Sequence, residues 1–266
     1  MINWGHACAI VVLTSLLGGA SPALSASLPD AQNLFDLGNF RAAALAGAAL
    51  DTPEGLALAS RARLVRAAYL LPRDRAVTEL REAEKLARQS LEMQPEQVEA
   101  SLNLAIILGY FTRIDGYVES YFAGRAEEAR RLITEAETVD PKSGWAKLVA
   151  GAWNAEVVLG AGSGLAGTLY GATRDKAVQA FEEAVKLDGA NPTIRLEYAK
   201  ALIKLYGEEG WPTAMGHLEI ALAGAPADEL DKLVQERAQM LLTALKSGDG
   251  ESVTACLREI DPFAGP

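Results

Sequence analysis

The chain has 266 residues, of which half are apolar and 35 are Asp or Glu against 25 Lys or Arg, giving a formal charge of −10. That much apolar material excludes disorder over most of the length, and an acidic surface argues against nucleic acid and anionic bilayers as partners. Alanine and leucine dominate, aromatic residues make up 6%, and no stretch alternates Val, Ile and Thr with period two, so the expected class is all-α.

Residues 1–26 contain no charged side chain and read as an export leader. An apolar run from Ala7 to Leu17 is followed by Gly18, Gly19 and Pro22, and then by the small-residue patch Ala23-Leu24-Ser25-Ala26. The run is too short to span a bilayer, and Cys8 lacks the Leu-x-x-Cys context of a lipid anchor. The expectation is therefore a Sec-type leader over 1–26, a helical domain over 27–266, and residence in the periplasm or outside the cell. No later run is long enough for a transmembrane helix. Cleavage would leave Cys256 and His217 alone of their kinds, which removes a disulfide or a Cys/His zinc cluster from consideration.

From residue 30 onward the chain repeats itself. A small residue, an apolar or small residue four later, a small residue three further on and a Pro or Gly five after that recur four times. The segments are Ala83, Ala87, Ser90, Pro95; Ala129, Ile133, Ala136, Pro141; Ala177, Phe181, Ala184, Gly189; and Ala214, Leu218, Ala221, Pro226. A fifth, Ala43, Gly47, Leu50, Gly55, departs from the pattern because Leu50 is large and Gly47 weakens a helix. Positions i, i+4 and i+7 share a helical stripe, small side chains there admit a second helix at close range, and the Pro or Gly ends the helix. A further amphipathic run from Asp228 to Lys246 reads as the capping helix that an open helical array needs. Ser247-Gly-Asp-Gly250 breaks it, and a short helix follows in which Val253, Cys256, Leu257 and Ile260 share a face, so Cys256 is expected to be a buried structural thiol.

This register resembles the second helix of the tetratricopeptide repeat (TPR) over roughly residues 30–226, with Leu104-Ala105 and Tyr198-Ala199 matching the large-small pair of first helices. The resemblance implies a right-handed α-solenoid of about five helix pairs with a C-terminal capping helix. Successive small anchors lie 40, 46, 48 and 37 residues apart, against about 34 in an ordinary repeat. The excess is greatest around 112–123 and 159–173, between the helices of the third and fourth pairs. Either those helices are longer, or two loops together cover a groove.

In TPR proteins the first helices line the concave wall, and the resemblance carries that role to Glu99, Leu102, Ile106, Gly109 and Tyr110 in the third pair. In the fourth pair it falls on Trp145, Leu148, Ala152, Ala155 and Glu156, and in the fifth on Thr193, Leu196, Lys200, Ile203 and Lys204. The insertions add Tyr117, Tyr121 and Phe122, and a Gly-rich run from Gly160 to Gly171 that lacks the strand and Gly-Lys-Ser/Thr of a nucleotide loop. Trp153-Asn154-Ala155-Glu156 is the densest polar and aromatic cluster on a first helix. The candidate groove contacts are accordingly Tyr110, Tyr117, Tyr121, Trp145, Trp153, Asn154, Glu156 and Lys200, with no catalytic, metal or cofactor residue among them. His217 has no nucleophile near it in sequence.

The expected function is a non-enzymatic scaffold of the bacterial envelope that binds a protein or peptide, a transporter component among the candidates. The alternative is a small-ligand-binding protein, since an exported helical array with an apolar inner wall resembles the periplasmic TPR components of TRAP-type transporters. The abundant carboxylates leave an Asp/Glu-based hydrolase as a third class, without a paired arrangement in the sequence.

Overall fold

A computed structural model describes residues 27–263, among which every regular element is helical; the leader read over 1–26, with Cys8, lies outside the described residues. Helix starts follow from local chemistry. Ser27 caps α1 (Leu28–Asp36) in a reciprocal box with Asp30, and Thr52 caps α3 (Pro53–Tyr69) with Pro53 in its first turn. Between them α2 runs Phe40–Ala49, and α4 (Arg73–Met93) follows α3. Helix α5 spans Val98–Asp115, α6 Tyr117–Phe122 and α7 Arg125–Val139. Ser143 caps α8 (Gly144–Leu165), which passes through a π-helical turn at Ala166–Tyr170 before α9 (Arg174–Leu187). Asn191 caps α10 (Pro192–Tyr206), and α11 covers Trp211–Ala223. Asp228 caps α12 (Glu229–Ser247), and Asp249 caps α13 (Gly250–Glu259).

Neighbours in sequence pack as antiparallel pairs, α1 on α2, α3 on α4, α5 on α7, α8 on α9 and α10 on α11, and each first helix also meets the pair before it. This is an α-solenoid of five TPR-like pairs. The small anchors Ala43, Ala83, Ala129, Ala177 and Ala214 are all buried on the second helices. Gly47, which fitted the register poorly, is explained by its neighbour: a Cβ there would meet the Gly55 carbonyl at 2.7 Å, so α2 and α3 cross glycine on glycine.

The insertions are neither plain extensions nor open loops. Helix α5 runs on to Asp115 and hands over at Gly116 to the short α6. Helix α8 bends at Gly162, whose φ of 76° and ψ of 151° suit glycine alone, and then tightens into the π turn.

The end of the array differs from a simple cap. Helix α12 packs on α11 and α10 and also reaches α1, where Glu229 fills the space beside Gly38. Leu230 and Leu233 join the core of the first pair, and Arg237 donates to the Ala68 carbonyl while its guanidinium lies 3.8 Å from the Tyr69 ring centroid. Beyond α13 the tail crosses to the second and third pairs, where Phe263 is fully buried among Leu64, Leu80, Ile107 and Phe111. The solenoid therefore closes on its own first pairs.

Candidate functional site

The inner faces of α1, α3, α5 and α8, with α6 and the π turn at one end and the start of α12 at the other, enclose a groove of about 1110 Å³. Its walls are mostly apolar: Leu64, Val65, Leu102, Ile106, Leu148 and Val157 lie along it, and Trp145, Trp153 and Tyr110 supply its aromatic surface. The arginines along it are each held by a carboxylate. Arg61 pairs with Glu99 at 3.2 Å and donates to Gln32 at 2.7 Å while lying over the Phe35 ring. Arg113 pairs with Glu156 at 3.4 Å, Arg125 with Asp115 at 2.6 Å, and Lys200 with Glu197 at 2.8 Å. Burial pushes the Tyr69 and Tyr110 phenols above their ordinary range, so both stay neutral at physiological pH.

The insertions build the far end of the groove and touch each other. The Tyr117 ring lies so close to Gly160 that a Cβ there would sit 1.9 Å from the ring, which is why this α8 position is bare. Arg125 fixes α6 by donating to the Phe111 carbonyl at 3.2 Å and to Ser120 at 3.0 Å. Arg130 holds the π turn by donating to the Tyr170 carbonyl at 2.7 Å, and Trp153 on α8 donates to the Ala126 carbonyl of α7 at 3.0 Å. Trp153 also packs edge-on against Tyr170. Past these anchors the insertion tips leave Val118, Tyr121, Phe122, Leu165 and Leu169 exposed, side by side at the groove mouth.

Six of the eight residues singled out in the sequence border this groove: Tyr110, Tyr117, Tyr121, Trp145, Trp153 and Glu156. Asn154 and Lys200 do not. The Asn154 amide donates to the Ala150 carbonyl one turn back, at 2.9 Å. The Lys200 ammonium is turned to Glu197, where burial alone would lower its pKa but the Glu197 and Asp261 carboxylates outweigh it and keep the amine charged. All five inner-wall positions of the third pair line the groove, as do four of the fourth pair, Ala155 being packed in the core instead. In the fifth pair Thr193 alone does so, because α12 and the tail cover that face of α10 and bury Leu196 and Ile203.

Sequence reasoning passed over Asn103, a groove residue almost fully buried, whose amide donates to the Ala57 carbonyl at 3.1 Å and ties α5 to α3. A single amide between Leu102 and Leu104 in an apolar helix was the available signal. It also passed over Arg113, which joins groove and tail: besides Glu156 it meets Asp261 in a short hydrogen-bonded pair and lies over the Tyr110 ring.

No helix among the described residues is long and apolar enough to cross a membrane. A protein-family model described as RMD1-3, regulator of microtubule dynamics protein 1-3, matches residues 56–246, more than two thirds of the chain. No curated protein matches. Among solved structures, the crystal structure of TTC0263, a thermophilic TPR protein of Thermus thermophilus, superposes with a TM-score of 0.55 at 21% identity. The match covers 80% of this chain and 97% of that one, and at that identity it speaks for the fold alone.

Proposed function

The chain belongs to the regulator of microtubule dynamics protein 1-3 family, and we propose that it is a non-enzymatic binding protein that holds an apolar protein segment along its concave groove. The observation that carries this reading is the groove wall itself, long, apolar and aromatic, with each arginine along it, Arg61, Arg113 and Arg125, already joined to a carboxylate. Such a wall stabilises a ligand by burying apolar surface, at roughly 25 cal/mol per Å², and offers a phosphate or other small anion no cation free of an acidic neighbour. Alternating apolar side chains on an extended segment, or one face of an amphipathic helix, match its shape. The family description, which speaks of a regulator, agrees with binding rather than turnover.

A second reading is favoured by the meeting of Tyr117 with Gly160, which roofs one end of the groove. A small apolar ligand would lie under that roof. For the location of the protein, the leader over 1–26 supports export, and we place the partner among envelope proteins, transporter components included.

Photo-crosslinking separates these readings. A benzophenone side chain at Ile106, inside the groove, is expected to label one protein partner, whereas the same group at Lys85, on the outer face of α4, labels none. Labelling from both positions, or from neither, would sink the protein-segment reading. Native mass spectrometry of the purified chain, with a bound apolar molecule released on unfolding, would favour the small ligand. Export is checked by the mass of the mature protein, which should lack residues up to the Ala23–Ala26 patch.

A further inference from the structure

The tail after α13 makes contacts that a mere end-cap does not require. Ile260 closes the core formed by α12 and α13, and three residues later Phe263 is fully buried in a different core, that of α3, α4 and α5. Between them, Asp261 is almost wholly buried, with one carboxylate oxygen on the Arg113 guanidinium and 4.0 Å from the Lys204 ammonium. Its other oxygen accepts the Phe263 amide N–H at 3.0 Å, and Arg73 donates to the Pro262 carbonyl at 3.2 Å. The Phe263 ring packs 4.8 Å from Tyr110. Burial alone would raise the Asp261 pKa, yet Arg113, Lys200, Lys204 and the Phe263 amide together hold it below the usual carboxylate range.

Apart from the tail's own Phe263 amide, each of these recognising groups sits on α3, α4, α5 or α10, helices positioned by the repeat and not by the tail. The tail hangs on a short strap. Gly248 breaks the chain after α12 with a φ of 72°, and α13 packs chiefly on α12. A segment so tethered is able to leave without unfolding the pairs behind it.

From the fit of carboxylate, proline carbonyl and aromatic ring into groups supplied by other helices, we infer that the slot bounded by Arg113, Lys204, Arg73 and Tyr110 is a peptide-docking site for a protein segment carrying a carboxylate two residues before an aromatic residue. The chain's own Asp261-Pro262-Phe263 is its intramolecular occupant. This goes beyond the reading of the groove: Tyr110 and Arg113 border both, whereas Arg73 and Lys204 belong to the slot alone. A tethered occupant acts as a competitor at about millimolar effective concentration, so an outside segment binds weakly until the tail is displaced. A partner bearing the matching triplet would exchange with the tail and free α13 at the same time.

The probe is a fluorescent heptapeptide with the sequence of residues 257–263, titrated against the intact chain and against Phe263→Ala, with circular dichroism confirming the fold of the variant. The variant is expected to bind the peptide about tenfold or more tightly than the intact chain does, and to lose it when the peptide carries Ala in place of its Phe or Lys in place of its Asp. Equal binding to both chains, or none to a folded variant, would overturn the inference. Should the variant fail to fold, hydrogen exchange of residues 257–263 in the intact chain decides. Faster exchange with several millimolar peptide supports displacement, and unchanged exchange refutes it. Failure here leaves the crosslink from Ile106 untouched, so the slot and the groove are judged separately.

Discussion

His217 lies 4.4 Å from the Tyr198 ring centroid, and its Nδ1 is 2.9 Å from the Arg195 guanidinium. Arginine only donates, so Nδ1 accepts and the ring proton sits on Nε2. Burial, and then the Arg195 charge, hold this imidazole down at about 4. An imidazole that titrates near 6.5 in the unfolded chain therefore binds its proton preferentially on unfolding between those values, and stability falls as pH drops from about 6.5 to 4. With allowance for partial exposure the loss is about 1–2 kcal/mol. His217→Gln, whose carbonyl still accepts from Arg195, is expected to flatten the melting temperature over that interval. The Asp261 contribution, from a depressed carboxylate, is present above its unfolded value near 3.8 and is lost only as pH falls through its lower folded value, so the two separate on the pH axis. At this scale the sequence showed residue types and not their partners. Trp153 was legible as an aromatic on an inner face, but whether the amide of Asn154 or that of Asn103 would border the groove depended on which carbonyl lay within reach.

Helix crossings obey the same limit. The repeat register identified where small residues must lie, and a Cβ at Gly151 would meet the Phe181 ring at 2.8 Å. That ring is buried and stacked 4.9 Å from Tyr198, so it cannot give way. Gly151→Ala and Gly47→Ala are each expected to cost about 1–3 kcal/mol by overpacking, the second against backbone rather than side chain. For a chain of this size that lowers the melting temperature by about 2–4 °C per kcal/mol. Gly109→Ala is the internal control: nothing lies within 4 Å of a Cβ there, so the helix gains up to about 1 kcal/mol. Urea melts of the three variants check the opposite signs. The Gly160–Gly171 run serves as a seat for Tyr117 at Gly160 and as a bend at Gly162.

Over the whole molecule the departure from a nearest-neighbour array is the C-terminal closure. In an open solenoid each pair touches only those beside it, and stability is close to a sum over repeats. Here Arg237 on α12 satisfies the last turn of α3 through the Ala68 carbonyl, where a cation is also favoured by the helix dipole. Arg237→Ala is expected to cost about 1–3 kcal/mol. Hydrogen exchange should show the loss in the end of α3 and in α12 together, with α7 to α9 unchanged. Confinement of the effect to α12 would mean that the closure adds no cooperativity.

The sequence by itself determined the helical class, the small anchors that let helices stack and the Pro or Gly that ends most second helices, because breakers and a 3.6-residue stripe act within a few residues of one another. The likeness to TPR repeats added the expectation of a mainly apolar inner wall. Only the tertiary structure decided how much of that wall stays open, since contacts such as Arg113 with Asp261 and Phe263 with Ile107 join residues far apart in the chain. No local pattern encodes such pairs; they form only once the stacked pairs have curved enough for the tail to reach back.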